Sequence, residues 1–424
     1  MIVTQSTRSL CVWACSTALV VLAPLRAGAQ QATGSARDDQ GQIEQLRLRI
    51  DELEQQVKRL QTAQSPGAPA EEKRATNQAA AGESADQAAE GTHDMLAPVG
   101  LGALQIRGFN DVNFLAHQDG DAPRTFSIGQ LDLFLSSRLG SDFSTVGEIV
   151  FEASDENVLG VDVERILLQY SPSDRFTIAA GRFHTGIGYY NTAYHHGNWF
   201  QTATGRPFIF RFEDEGGLLP VHGVGVTVQG QIPSGRAGLR YEAEIGNGRT
   251  SRSPDDEAVQ YVADENGRKA VNLALLARPA GIPGLQAGIS VYRDRLEPAQ
   301  QPAIDETIVA AHLVYQNPVF EQLNEAIFIR HVPADTERAV TTSSFYTQIS
   351  RQFGRARPYF RYEYLDVPTA DPIFSSAMGR SYGPSFGMRF DAAPPVAVKV
   401  EYTRLTGGIR SQTNGLKIQL GFTF

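Results

Sequence analysis

Cysteine is nearly absent: the 424-residue chain has two, Cys11 and Cys15. Both fall within Met1 to Gln30, which has a basic residue at Arg8, an apolar run from Leu10 to Leu25 and the small triplet Ala27-Gly28-Ala29. That pattern reads as a secretory signal peptide, residues 1–29, cleaved after Ala29. Ser16 and Pro24 break the apolar run and leave it short of a span, which disfavours a membrane anchor. A lipidated cysteine should follow such a run, whereas this one continues past Cys15. The mature chain is therefore expected to be thiol-free, and neither disulfides nor cysteine–metal sites hold it together.

Long hydrophobic runs are missing as well. After residue 30 no stretch approaches the ~20 consecutive apolar residues of a spanning helix. If this chain lies in a membrane it must be a closed β-barrel, the other structure that satisfies every backbone N–H and C=O in hydrocarbon. Charge of one sign is also scarce. A formal net charge of -9 is a modest acidic excess and argues against nucleic-acid binding, which favours basic patches. Nothing reads as a nucleophile elbow, an H-E-x-x-H zinc helix or a phosphate-cradling loop, so an enzyme reading has no motif behind it. Acid–base pairs assembled from distant strands would leave no such motif.

Three segments follow the signal. In residues 38–62 apolar side chains recur at Ile43, Leu46, Ile50, Leu53, Val57 and Leu60, a 3-4-3-4-3 spacing with Leu48 off the stripe. β-Branched residues at a and leucines at d make this a coiled-coil seam, and Arg49 with Glu54 can pair between parallel chains. The expectation is a self-associating helix; packing on its own protein is the alternative. Residues 63–100 carry no aromatic residue and are dominated by Ala, Gln, Gly, Ser and Glu, which makes them a flexible linker.

The third segment, 104–424, alternates. Its end is the clearest case: Leu416, Ile418, Leu420, Phe422 and Phe424 share one face, Lys417, Gln419, Gly421 and Thr423 the other. Reading for alternation and turns gives about sixteen strands of roughly ten residues, the length a tilted membrane strand requires. The fourth, VDVERILLQY, fits either facing. Short turn-rich connections such as GSDF at Gly140 and FGRA at Phe353 alternate with long ones such as 186–220 and 246–268. This asymmetry and an even strand count place both barrel ends, and the coiled coil, in the periplasm.

The last strand resembles the terminal signature by which the barrel-assembly machinery recognises bacterial outer-membrane proteins. Residues 104–424 resemble the porins of the phosphate-selective porin O and P superfamily, most closely in IRGFNDVNF and AAGRFHTGIGYYN. The heptad helix is similar to the periplasmic coiled coils that precede some sugar porins. The resemblance implies an all-β fold: a transmembrane antiparallel β-barrel of about sixteen strands in the Gram-negative outer membrane, behind a short periplasmic coiled coil and a disordered linker. It also implies a water-filled channel for passive diffusion of small hydrophilic solutes or ions, a homo-oligomer (trimer or dimer), and no cofactor, metal or catalysis. A plugged barrel anchoring periplasmic partners is the rival, and an outer-membrane enzyme a further one.

The barrel reading assigns faces. Leu131, Leu133, Leu135, Ile149, Phe151, Phe386, Met388 and Val400 point outward, while Arg107, Asp111, Asp132, Arg138, Glu148, Arg361, Glu363, Arg389, Lys399 and Glu401 point into the lumen. A basic side chain at mid-bilayer costs about 2–4 kcal/mol, so a wet interior is where such charges belong. Acidic and basic residues nearly balance, whereas a dedicated anion channel should show excess Arg or Lys; phosphate selectivity is therefore assigned to no residue. On this reading Leu420 or Phe424 to Asp blocks insertion and Gln419→Asp is tolerated.

The connection 186–220 concentrates aromatic residues, Trp199, three histidines (His195, His196, His222 just beyond) and the run Glu213-Asp214-Glu215. Folded inward, it would set a constriction with Arg206, Arg211, Glu213, Asp214 and Glu215 on the loop and Arg182 on the wall. Folded outward, it would cap the barrel mouth or an oligomer contact. A metal site on His195 and His196 is disfavoured because adjacent histidines on a strand point apart.

Overall fold

The structure, a computed structural model, describes residues 104–117, 124–153, 158–194, 199–213, 217–249, 262–264, 266–298, 301–374, 378–407 and 414–424. The coiled-coil seam, the linker, His195, His196, Asp214 and Glu215 lie outside them.

Alternation in the sequence becomes strand after strand: β1 (Gln105–His117), β2 (Thr125–Arg138), β3 (Phe143–Ala153), β4 (Leu159–Ser173), β5 (Phe176–His184), β6 (His222–Gln231), β7 (Leu239–Asn247) and β8 (Lys269–Ala277). Then come β9 (Leu285–Leu296), β10 (Ile304–Gln316), β11 (Phe320–Pro333), β12 (Val340–Arg351), β13 (Ala356–Asp366), β14 (Arg380–Ala393), β15 (Val396–Thr403), β16 (Thr406–Gly407) and β17 (Gly415–Thr423). Each long strand pairs antiparallel with the next, and β17 pairs back onto β1 with Leu420 opposite Val112. The result is a closed sixteen-stranded barrel, with β16 a two-residue addition beside Ser381 and Tyr382 of β14. Closure leaves no edge strand with unpaired backbone groups.

The outer surface is apolar. Ile106, Ile128, Leu273, Leu313, Phe386 and Val400 are among its exposed residues, and Leu416, Ile418, Leu420 and Phe424 share the outer face of β17. The opposite faces carry buried charge: Asp111, Asp132, Glu148, Arg361, Glu363, Lys399 and Glu401 lie inside, Arg389 is partly covered, and Arg107 and Arg138 are exposed on the inward register near the strand ends.

In β4 the facing of the strand changes midway. Val161 and Val163 are exposed outward, and so are Ile166 and Leu168. A β-bulge opposite Glu148 and Ile149 inserts the extra residue, so that Glu164 and Arg165 both turn inward and no single alternation fits VDVERILLQY. Gly181 of β5 interrupts alternation again. Its φ of 135° is one an L side chain rarely adopts, and a Cβ there would fall 1.9 Å from the Ile166 carbonyl oxygen. The next residue, Arg182, pairs across with outward-facing Ile166 yet is buried.

Candidate functional site

The described parts of the loop between β5 and β6, 185–194, 199–213 and 217–221, lie inside the barrel. Its aromatic residues need apolar partners, and the inner faces of β10 and β11 supply them: Ile304, Ile308, Val314, Leu323, Ile327 and Ile329 are all buried. Together with Ile187, Tyr190, Phe208, Ile209 and Phe210 they form one apolar cluster. Each such side chain removed from water contributes about 1.5–3 kcal/mol, which holds the loop on this wall.

Polar groups of the loop are met one by one. The short helix α1 (Tyr190–Tyr194) starts against Glu325, whose carboxylate accepts the N–H groups of Tyr189 (2.5 Å) and Tyr190 (2.9 Å). The 3-10 turn Phe208–Phe210 starts against Glu363, which accepts from the Phe208 N–H at 2.9 Å. Between these elements the loop backbone turns its carbonyls toward the wall. Arg361 donates from Nη1 and Nη2 to Gly205 O at 3.0 Å, Lys399 Nζ to Ala203 O at 3.0 Å, and Arg389 Nη1 to Gln201 O at 3.1 Å. Gln419 Nε2 donates to Thr204 O at 3.2 Å and also to Asp111 and Asn113. The positive wall of β13 to β15 is thus covered by loop backbone.

Strands β2 to β8 form a different wall. Asp132, Glu148, Glu152, Asp162, Glu164, Glu242 and Glu244 stand on its inward registers, with Arg138, Arg165, Arg182 and Arg240. Arg165 binds Glu148, and Arg182 donates Nε to the Glu164 backbone carbonyl at 3.2 Å. His222 lies between Glu164 and Glu213, with Nδ1 3.0 Å from Glu213.

The described part of a second loop, 367–374, is fastened at its own site. His331 Nδ1 is 3.0 Å from both carboxylate oxygens of Asp371, and Nε2 is 2.8 Å from Glu306, which also binds Arg249. A ring donating from both nitrogens to carboxylates is the charged form. Burial raises the proton affinity of Asp371, but hydrogen bonds from His331 and from the N–H groups of Phe374 and Ile373 more than offset it and hold the carboxyl below the usual carboxylate range.

The expected constriction residues are distributed differently from a charged ring. Arg206 bonds to Phe210 O and stacks on Phe212 (4.0 Å) and Tyr190 (5.7 Å), and Glu213 accepts from the His222 N–H at 2.9 Å. Both fasten the loop. Arg211 is half-buried beside them, and Arg182 is buried against Glu164. Gln419→Asp is not the mild change that facing alone suggests, because Gln419 is fully buried and its amide serves three acceptors. Sequence reasoning passed over Glu325 and Glu321, though Glu325 stands on the inward register among apolar residues of NEAIFIRH, a signal of a charge with a buried partner.

The spacing G-x-S-x-G, which the sequence reading passed over, occurs twice, at Gly379–Gly383 and Gly383–Gly387. Both serines lie in strand β14, buried, with Ser385 Oγ 2.8 Å from Thr403 Oγ1. A nucleophile elbow needs a strand-to-helix turn that exposes the hydroxyl, and neither serine has one. Near the short turns beneath the loop, a cavity of about 440 Å³ is lined by Trp199, Arg355, Arg389 and Asp391.

No family model matches the chain, and no curated protein matches it. Solved structures do. The anion-selective porin from Comamonas acidovorans superposes with a TM-score of 0.55 at 12% identity, over 76% of this chain and 99% of that one. OmpF of Salmonella typhi in complex with daunomycin gives 0.53 at 13% identity (76% and 97%). The outer-membrane channel DcaP of Acinetobacter baumannii gives 0.51 at 12% identity (76% and 97%). At these identities the likeness is one of fold, and the fold it supports is the sixteen-stranded barrel.

Proposed function

We propose that the protein is an outer-membrane porin, a water-filled barrel through which small hydrophilic solutes or ions diffuse passively. The observation that carries this reading is the division of the interior. The inserted loop is fastened along β10 through β17 and, at its two ends, by Gly186 N–H to Glu244 of β7 and by Glu213 to His222 of β6, while Gln130, Asp162, Arg165, Gln229, Arg240 and Glu242 keep contact with solvent. A polar, solvated half-lumen inside an apolar outer belt is the arrangement of a diffusion channel. The similar structures support it: they include an anion-selective porin and an outer-membrane channel, and OmpT of Vibrio cholerae is described in a trimer form. On this reading the chain forms a homo-oligomer, trimer or dimer, folded by the barrel-assembly machinery through the β17 pattern. The short turns and the 38–62 coiled coil face the periplasm. Kinship with the phosphate-selective porin O and P superfamily belongs to the same proposal and rests on the β1 and β5 stretches.

Single-channel recording of the refolded mature protein in a planar bilayer tests it. Discrete conductance steps are the expected outcome. A silent bilayer, with insertion verified by heat-modifiable gel migration, would point to a sealed barrel and return the anchor reading to the front.

A further inference from the structure

We infer that the lumen passes cations in preference to anions, an inference that rests on the diffusion-channel reading above. Counted by residue type, the inward charges nearly balance. Sorted by the wall on which they stand, they do not.

The cations of β13 to β15 are on the covered side. Arg361 is 2% exposed and Lys399 0%, and they and Arg389 are engaged with the carbonyl oxygens of Gly205, Ala203 and Gln201. An ion in the lumen therefore meets loop backbone where the strands alone would have presented a basic ladder. Arg361 in addition lies 3.5 Å from Glu401, so its charge is matched locally.

Negative charge is on the other side. The wall of β2 to β8 sets seven carboxylates against four arginines (Arg138, Arg165, Arg182 and Arg240) and His222. Arg165 is committed to Glu148, Arg182 lies 3.9 Å from Glu164, and His222 lies between Glu164 and Glu213. Asp132, Glu148, Glu164 and Glu244 are buried, while Glu152, Asp162 and Glu242 keep contact with solvent. A second observation points the same way. Asp132 Oδ1 and Asn272 Oδ1, on residues 2% and 1% exposed, have no hydrogen-bond partner. This wall therefore holds a surplus of acceptor oxygens, which suits a cation or its hydration water and repels an anion.

The test is the zero-current potential of single channels of the full mature protein under a KCl gradient. Concentrations between about 0.01 and 0.1 M keep the screening length at about 10 Å or longer. The expected potential has the sign of cation passage, and the double variant Asp162→Asn, Glu242→Gln, checked for folding by heat-modifiable migration, moves it toward zero while channels still open. A native potential of zero or of the anion sign overturns the inference and leaves the channel reading standing. So does a cationic potential that the double variant does not move, since the selectivity would then arise elsewhere. If folded protein is inserted and no channel opens, the channel reading itself falls and takes this inference with it.

Discussion

Gln419 and Leu420 are neighbours whose substitutions should fail for unrelated reasons. Leu420 is outward on β17 and 41% exposed, so Leu420→Arg places a charge against hydrocarbon at a cost of about 2–4 kcal/mol. Gln419 is inward, and its Nε2 donates to Asp111, Asn113 and Thr204. Gln419→Asp removes that donor and sets a second carboxylate beside Asp111. Stranding buried acceptors costs about 1–3 kcal/mol before any repulsion is added. Urea unfolding from lipid vesicles should therefore show both variants destabilised; Gln419→Asp with native stability would mean that the buried amide network contributes nothing. The facing of these residues was legible because period-2 alternation in KIQLGFTF allows only one register. The partners of Gln419 were not. They come from β1 and from a loop roughly two hundred residues away, which no local pattern encodes.

Among the elements, strands were readable and their exceptions were not. Sixteen alternating runs fall on sixteen strands, whereas the bulge in β4 and the backbone at Gly181 reverse alternation where charged side chains must turn inward. The inserted loops follow a similar logic: aromatic density announced that 185–221 seeks burial, but the choice of β10 and β11 as its wall depends on their apolar inner faces. The 367–379 loop was not singled out at all, since its fastening depends on one carboxylate. Asp371 is held below the usual carboxylate range, so its contribution is complete above its unfolded value near pH 4 and is lost as pH falls through the lower folded value. Hydrogen exchange of the Ile373 and Phe374 amides, which donate to Asp371 Oδ1 at 3.0 and 2.9 Å, should then accelerate over intrinsic rates only below about pH 4. Protection that fades between about pH 8 and 6 instead would assign control of the loop to another group.

At the scale of the whole molecule, the strands supply charge of both signs and the inserted loop decides which sign the lumen presents. Excising Trp199–Arg206 separates the two contributions. The cut removes the backbone that caps Arg361, Arg389 and Lys399 but spares Tyr190 and Phe208–Phe210, the apolar anchors that hold the remaining loop on β10 and β11. Conductance should rise, because the lumen gains the excised volume. The zero-current potential should move toward anion passage, because three cations on adjacent strands then face water opposite the acidic wall. A larger conductance with an unchanged potential would mean that the loop only narrows the lumen and that the basic ladder is neutralised by Glu363 and Glu401 beside it. A shift in potential with little change in conductance would place the narrowest part of the path away from 199–206, along the carboxylate wall of β2 to β8, and would make Asp162 and Glu242 the residues that set the flow.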